Sequence, residues 1–461
     1  MKIRFYFLHG TIVNIRSNLS LAAFLLILGA AVPADAADKK PKEKGNYGAV
    51  ELTEKDYHLI ETSEEMHDQF QRRGVRHSDR ELEAWLQEIG NRLAPETTDF
   101  YQQYRFYLIR DPSPNAFALP DGQIYVHTGL ISRLENEAQL ASLLAHEINH
   151  VAGHHGILAY RSQKKKAAAG IFFSIAGAAA GGWGDLAGFM INYGLVTSVF
   201  GYSRDLEQEA DVNGYELMLN AGYDVREMPM LFEILGQDFE GLNPRACGKW
   251  CTHPDLILRG EYTAELVVAT PDEKLAELSL GDDDFRNRVR PLALDTVRDY
   301  ILDNYPKTAL ELAQDLVEED PEYAAGWVAM GHSYISLGAR SEFTDDVPLT
   351  QKEKRKQVRI RSKLTRDELR AQAAQSPEAQ TNIEYNLAAA EKAYLVALEL
   401  DQGAVEAHAG LGEIYLRREQ YRDSARELMT YLKVRPEAPD RSIVMDDLRD
   451  IARKLKIEAG E

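Results

Sequence analysis

Cysteine is nearly absent: Cys247 and Cys251 are the only two in 461 residues. That excludes a scaffold framed by several disulfides and a zinc ribbon, which would need a second pair. Basic residues are in deficit, with 53 Lys and Arg against 73 Asp and Glu, a net charge of −20. Such acidity suits a soluble protein and argues against general nucleic-acid binding. Long apolar runs are scarce as well. The run from Leu19 to Val32 is shorter than the roughly 20 residues of a membrane span. Lys2, Arg4 and Arg16 precede it, and Ala34-Asp35-Ala36 follows as a small-x-small cleavage pattern. Together these read as a secretory signal peptide over residues 1–36. Its removal would take the net charge from −20 to −22 and start the mature chain near Ala37. No cysteine stands at the cleavage site, so no lipid anchor is expected.

What is present is most concentrated at His146-Glu147-Ile148-Asn149-His150. This H-E-x-x-H pattern ends an apolar-periodic stretch from Glu137 to Ala145 that predicts a helix. Positions four apart share a helix face, so both imidazoles can reach one metal ion. The adjacent Glu147 can then serve as general base to a water activated at that ion. A chance pair of core histidines is the competing reading, so a third ligand is the test. A third histidine in the pattern H-E-x-x-H-x-x-G-x-x-H fails: Gly153 is in place, but Gly156 stands where the histidine is required. His155 falls one residue short and reads as a supporting or packing histidine. The alternative is a glutamate from a later helix. Ser203 to Asp211 supplies Glu207 and Asp211 on one helix face. Glu207 would ligate zinc while Asp211 hydrogen-bonds a ligand imidazole.

These motifs, with Thr252-His253-Pro254, Arg259 and the segment Pro114–Leu130, resemble the HtpX/CAAX-endopeptidase family of gluzincin metallopeptidases. The resemblance covers roughly Glu51 to Tyr262. It implies an α+β, mostly helical zincin-like metallopeptidase domain over residues 37–266. It also implies one Zn2+ held by His146, His150 and Glu207, with Glu147 as base and proton shuttle. The oxyanion of peptide hydrolysis needs a further positive or hydrogen-bonding group, and Arg259 or His253 would supply it. Gln123-Ile124-Tyr125-Val126 follows the turn Pro120-Asp121-Gly122 and reads as an edge strand able to hold an extended substrate.

The periplasmic branch of this family implies a second role for His253, as a plug in the fourth zinc position on a loop between Asp238 and Pro254. The plainer reading is that His253 merely precedes the helix beginning at Pro254. Cys247 and Cys251 would form a local disulfide in an oxidising compartment, or stay as two thiols. The stretch from Ala167 to Phe200 carries one charge, Asp185, in 34 residues. Since His150 precedes it and Glu207 follows it, a single membrane crossing would separate the ligands. Helices packed over the site are expected, with a membrane-surface hairpin as the alternative.

The remainder is helical from about Leu292, with a beat of 34 residues that predicts an all-α tetratricopeptide-repeat solenoid over residues 292–461. The marks are Ala309, Trp327, Gly331 and Tyr334, then Ala390 and Ala397, then His408, Leu411, Gly412, Tyr415, Tyr421 and Pro436. A basic insertion over residues 338–381 reads as a solvated helix or a docking patch, and residues 267–291 as a connector. Resemblance to the repeat-bearing periplasmic branch implies quality control of misfolded or stalled proteins and partnership with the outer-membrane barrel-assembly machinery. A chaperone or assembly adaptor with latent protease activity is the second class of function.

Overall fold

The computed structural model describes residues 50–94, 103–168, 202–240, 256–338 and 377–459. The signal segment, His253, Cys247, Cys251, nearly all of 167–200 and most of the basic insertion lie outside the described residues.

Helix α1 (Glu54–Arg73) opens on a reciprocal cap between Thr53 and Asp56 and ends at Gly74. Helix α2 (Arg80–Leu93) follows, with Asp79 accepting from the amides of Glu81 and Leu82 at its start. Three short strands come next: β1 (Arg105–Ile109), β2 (Ala116–Ala118) and β3 (Gln123–His127). The strand order is β1-β3-β2, with β3 parallel to β1 and antiparallel to β2. The strand expected at the edge from its β-formers, Gln123–Val126, is therefore central, and each of its residues is buried. The edge nearest the metal motif is β2, which packs against the helix that carries the motif. Alternation along β3 divides two cores. Tyr125 joins Phe117, Ile109, Met66 and Phe70 under α1, whereas Ile124 and Val126 join Leu86, Ile89, Leu140 and Leu144 on the other face.

After the short helix α3 (Thr128–Ile131), α4 (Glu137–Ala152) carries the H-E-x-x-H pattern, and α5 (His155–Ala168) turns back from it. Helix α6 (Arg204–Ala221) runs against α4, and α7 (Glu227–Glu240) and α8 (Leu256–Ala269) pack on each other beside it. The expected connector is not a free linker. It holds the end of α8, the turn α9 (Asp272–Leu275) and the first half of α10 (Phe285–Asp303). Phe285, Val289 and Leu292 belong to the same core as the metal-motif helix. The amide of Ala138, in the first turn of α4, donates to the Leu280 carbonyl at 2.9 Å.

From α10 onward each helix packs on the next: α11 (Pro306–Glu319), α12 (Ala324–Gly338), α13 (Pro377–Leu400), α14 (Val405–Arg417), α15 (Tyr421–Val434) and α16 (Arg441–Ala459). Tyr394 is the hinge of this packing. A Cβ on Gly331 or Gly410 would stand 2.5 Å or 2.3 Å from its ring, so only glycine lets three helices approach there. No helix among the described residues is long and apolar enough to cross a membrane.

Candidate metal centre

The site is built at the meeting of α4 and α6. Asn136 caps α4 by accepting from the Gln139 amide at 2.9 Å. Glu137, one residue on, places a buried carboxylate where the helix dipole favours negative charge. It accepts from Arg92 at 2.6 Å, Tyr223 at 2.7 Å and Trp85 at 3.2 Å, which fixes the helix before its functional turn begins.

His146, His150 and Glu207 converge and are fully buried. The Nε2 atoms of the two histidines are 2.9 Å apart, and Glu207 stands 3.5 Å from one and 3.9 Å from the other. A four-coordinate ion with N and O donors at about 2.0–2.2 Å would hold such atoms roughly 3.3–3.5 Å apart. The cluster meets that spacing within a few tenths of an ångström. Its protonation chemistry points the same way. Asp211 accepts from His146 Nδ1 at 2.7 Å, which places a proton on Nδ1 and leaves Nε2 as the nitrogen that faces the cluster. A second imidazole nitrogen at 2.9 Å from it then requires a proton or a cation between them. Glu147 adds an independent sign. It is buried beside the cluster, and its Oε1 has no hydrogen-bond partner among the described residues. A buried carboxylate oxygen left this way is costly unless something polar meets it in the working state. The three residues thus form a potential metal site, with the buried Glu147 next in sequence to His146.

The surroundings hold the ligands rigidly. Arg259 from α8 donates to Asp211 through Nε and Nη2, both at 2.7 Å, and its Nη1 lies 3.3 Å from Glu207. Its Nη2 also stands 3.3 Å from His146 Nδ1, but with that nitrogen already protonated toward Asp211 the contact is no hydrogen bond. Burial alone would raise the Asp211 carboxyl, yet Arg259 and His146 outweigh it and hold the group well below the usual carboxylate range. Burial likewise works against the Arg259 charge, and Asp211 and Glu207 more than offset that. Phe232 lies under the guanidinium, 4.4 Å from ring centroid to Cζ. Arg259 is thus committed behind the ligands.

Two tyrosines of the site carry no motif of their own. Tyr262 donates to Asp211, and it lies one turn past Arg259 on the same face of α8. Tyr202 stacks on His150, with ring centroids 3.8 Å apart and planes at 18°. Burial raises its phenol, as do the charges of Glu147 and Glu207. His155 also joins the site: its Nδ1 is 2.9 Å from His150 Nδ1, and burial pushes its pKa down to about 4.

An H-E-x-x-H helix, a glutamate from a second helix and a buried carboxylate beside them define a metallopeptidase-type centre. Residues 80–265 match the model of peptidase family M48. A putative beta-barrel assembly-enhancing protease of Vibrio cholerae is 32% identical over 34% of this chain and 34% of its own length. The beta-barrel assembly-enhancing protease of Escherichia coli is 26% identical over 52% of this chain and 47% of its own. A mitochondrial metalloendopeptidase of Schizosaccharomyces pombe is 35% identical over 33% of this chain and 43% of its own. The chain thus spans a third to just under half the length of these curated relatives.

Proposed function

We propose that this protein is a zinc-dependent metalloendopeptidase of the periplasm that cleaves misfolded or stalled proteins during outer-membrane protein assembly. The observation that carries the reading is the buried trio His146, His150 and Glu207 beside a Glu147 oxygen that lacks a partner among the described residues. His146, His150 and Glu207 would hold the ion. A bound zinc ion supplies a Lewis acid for the scissile carbonyl and lowers the pKa of a water molecule. Glu147 takes the proton of the attacking water and delivers it to the departing amine. Asp211 keeps His146 in the tautomer that ligates, and Arg259 keeps Asp211 ionised. With Arg259 so engaged, the oxyanion falls to another group, and His253 is the candidate.

Strand β2 is the sheet's edge strand beside α4, and substrate would be held near it as an extended chain, by backbone hydrogen bonds that ask for no particular sequence. That suits a quality-control enzyme, whose clients share unfolding rather than sequence. Two of the relatives are named for barrel assembly, which supports placing the activity in that pathway and the barrel-assembly machinery among its partners. The stacked helices α10–α16 are read as a tetratricopeptide solenoid that docks such partners. A signal peptide over residues 1–36 and a plug at His253 complete the reading. The adaptor alternative is not favoured by relatives that are named as proteases.

Casein degradation by the purified chain tests this. Glu147→Gln is expected to lower the rate by about 10²–10⁴-fold, the usual worth of a general base. Equal rates in wild type and Glu147→Gln would refute a Glu147-dependent peptidase.

A further inference from the structure

His146 and His150 meet different partners behind the metal-facing nitrogen. His146 Nδ1 faces the Asp211 carboxylate at 2.7 Å, whereas His150 Nδ1 faces a third imidazole, that of His155, at 2.9 Å. The local backbone is shaped to bring it there. His154 takes a left-handed φ of 50°, which reverses the chain so that α5 starts with His155 directly under α4. Gly153 leaves room for the ring, since a Cβ at that position would stand 2.4 Å from His155 Nε2. Tyr202 covers the opposite side, stacked on His150 and edge-on to His155. His155 is 1% exposed, so water has no access to replace this contact.

The contact allows two placements of the proton. If His155 donates from Nδ1, His150 carries its own proton on Nε2 and cannot ligate. If His155 accepts at Nδ1, His150 has Nδ1–H and its Nε2 lone pair faces His146 and Glu207. In the second case the His155 proton sits on Nε2, which has no hydrogen-bond partner among the described residues. An unmet buried donor costs about 1–3 kcal/mol. That cost is tolerated only if the arrangement serves something else.

We infer that His155 is a positioning residue for His150, accepting its Nδ1–H and thereby fixing the ring and tautomer that ligate the metal. It does the work that carboxylates and carbonyls usually do behind zinc-bound histidines. The inference rests on the reading of His146, His150 and Glu207 as metal ligands.

Chelator competition on the full chain measures zinc affinity in wild type, His155→Leu and His155→Asn, with thermal unfolding recorded for each. His155→Leu is expected to bind zinc about 10–100-fold more weakly, the usual cost of losing such a partner. His155→Asn, whose Oδ1 can accept from His150 Nδ1, is expected to recover most of that loss. Unchanged affinity in His155→Leu, or equal losses in both variants at matched stability, overturns the inference. A wild-type chain that binds no zinc overturns the ligand reading itself and this inference with it, and is told apart because no variant is needed to see it. Histidine-selective ¹⁵N spectra of the zinc-loaded wild type give a second reading that needs no substitution. They should show His155 neutral with its proton on Nε2; a proton on Nδ1 contradicts the role.

Discussion

The half that carries the potential metal site and the stacked helices of the carboxy-terminal half are held by opposite means. Around the metal centre the buried volume is rich in charge: Glu137, His146, Glu147, His150, Glu207, Asp211 and Arg259 are all almost inaccessible. Asp211 is paired with Arg259 and Glu137 with Arg92, and removing one partner of such a pair strands the other. Between α12 and α14 the buried volume is alanine, leucine and tyrosine, and Gly331 and Gly410 set the spacing by leaving room for Tyr394. One half spends its burial on orienting chemistry, the other on fixing distances between helices. The two meet on α10, whose first turns lie in the metal-site core and whose Val297 and Tyr300 lie in the next. Arg133 to Tyr300 at 2.7 Å and Ser132 to Thr296 at 2.9 Å tie that helix to the segment leading into α4.

The sharpest way to break the contrast is Arg259→Leu. It leaves Asp211 buried and ionised without its main counter-charge, a change that costs about 3–5 kcal/mol when one partner of a buried pair is removed. Thermal unfolding and zinc competition should both fall; loss of neither would mean that the network is ornamental. Gly410→Val should cost less, about 1–3 kcal/mol for overpacking against Tyr394. It should lower the melting temperature while zinc affinity stays unchanged. A parallel loss of zinc would show the two halves to be coupled through α10 more tightly than the contrast allows. The smallest effect is a slope with pH. Burial lifts the Asp121 carboxyl from 3.8 to about 6, at the turn between β2 and β3. The folded state then binds this proton more tightly than the unfolded one. The contribution is therefore complete below about pH 3.8 and is lost as pH rises toward 6. Asp121→Asn should flatten that part of the stability profile, and an unchanged slope would assign it to other groups.

How much of this was legible in the sequence depended on whether one helix carried the information. His146, Glu147 and His150 were legible because a period of 3.6 residues alone places two imidazoles on one face. Glu207 and Asp211 followed from the same spacing on a second helix. Tyr202 and the contact of His155 with His150 were not, because each depends on how two elements cross. The central place of β3 was hidden for a similar reason: β2 is only three residues, Ala116–Ala118, and gives no strand pattern of its own. The connector was misjudged at its far end. Phe285, Val289 and Leu292 have helical spacing, but Pro291 between them reads as a boundary, and the helix accommodates it.

The most direct test of the central claim is metal stoichiometry in the purified chain, wild type beside Glu207→Ala, with folding checked by circular dichroism. One zinc per chain in wild type and its loss in the folded variant are the predicted results. Zinc retained in full by Glu207→Ala, or none bound by wild type, would contradict the assignment of His146, His150 and Glu207 as the metal centre.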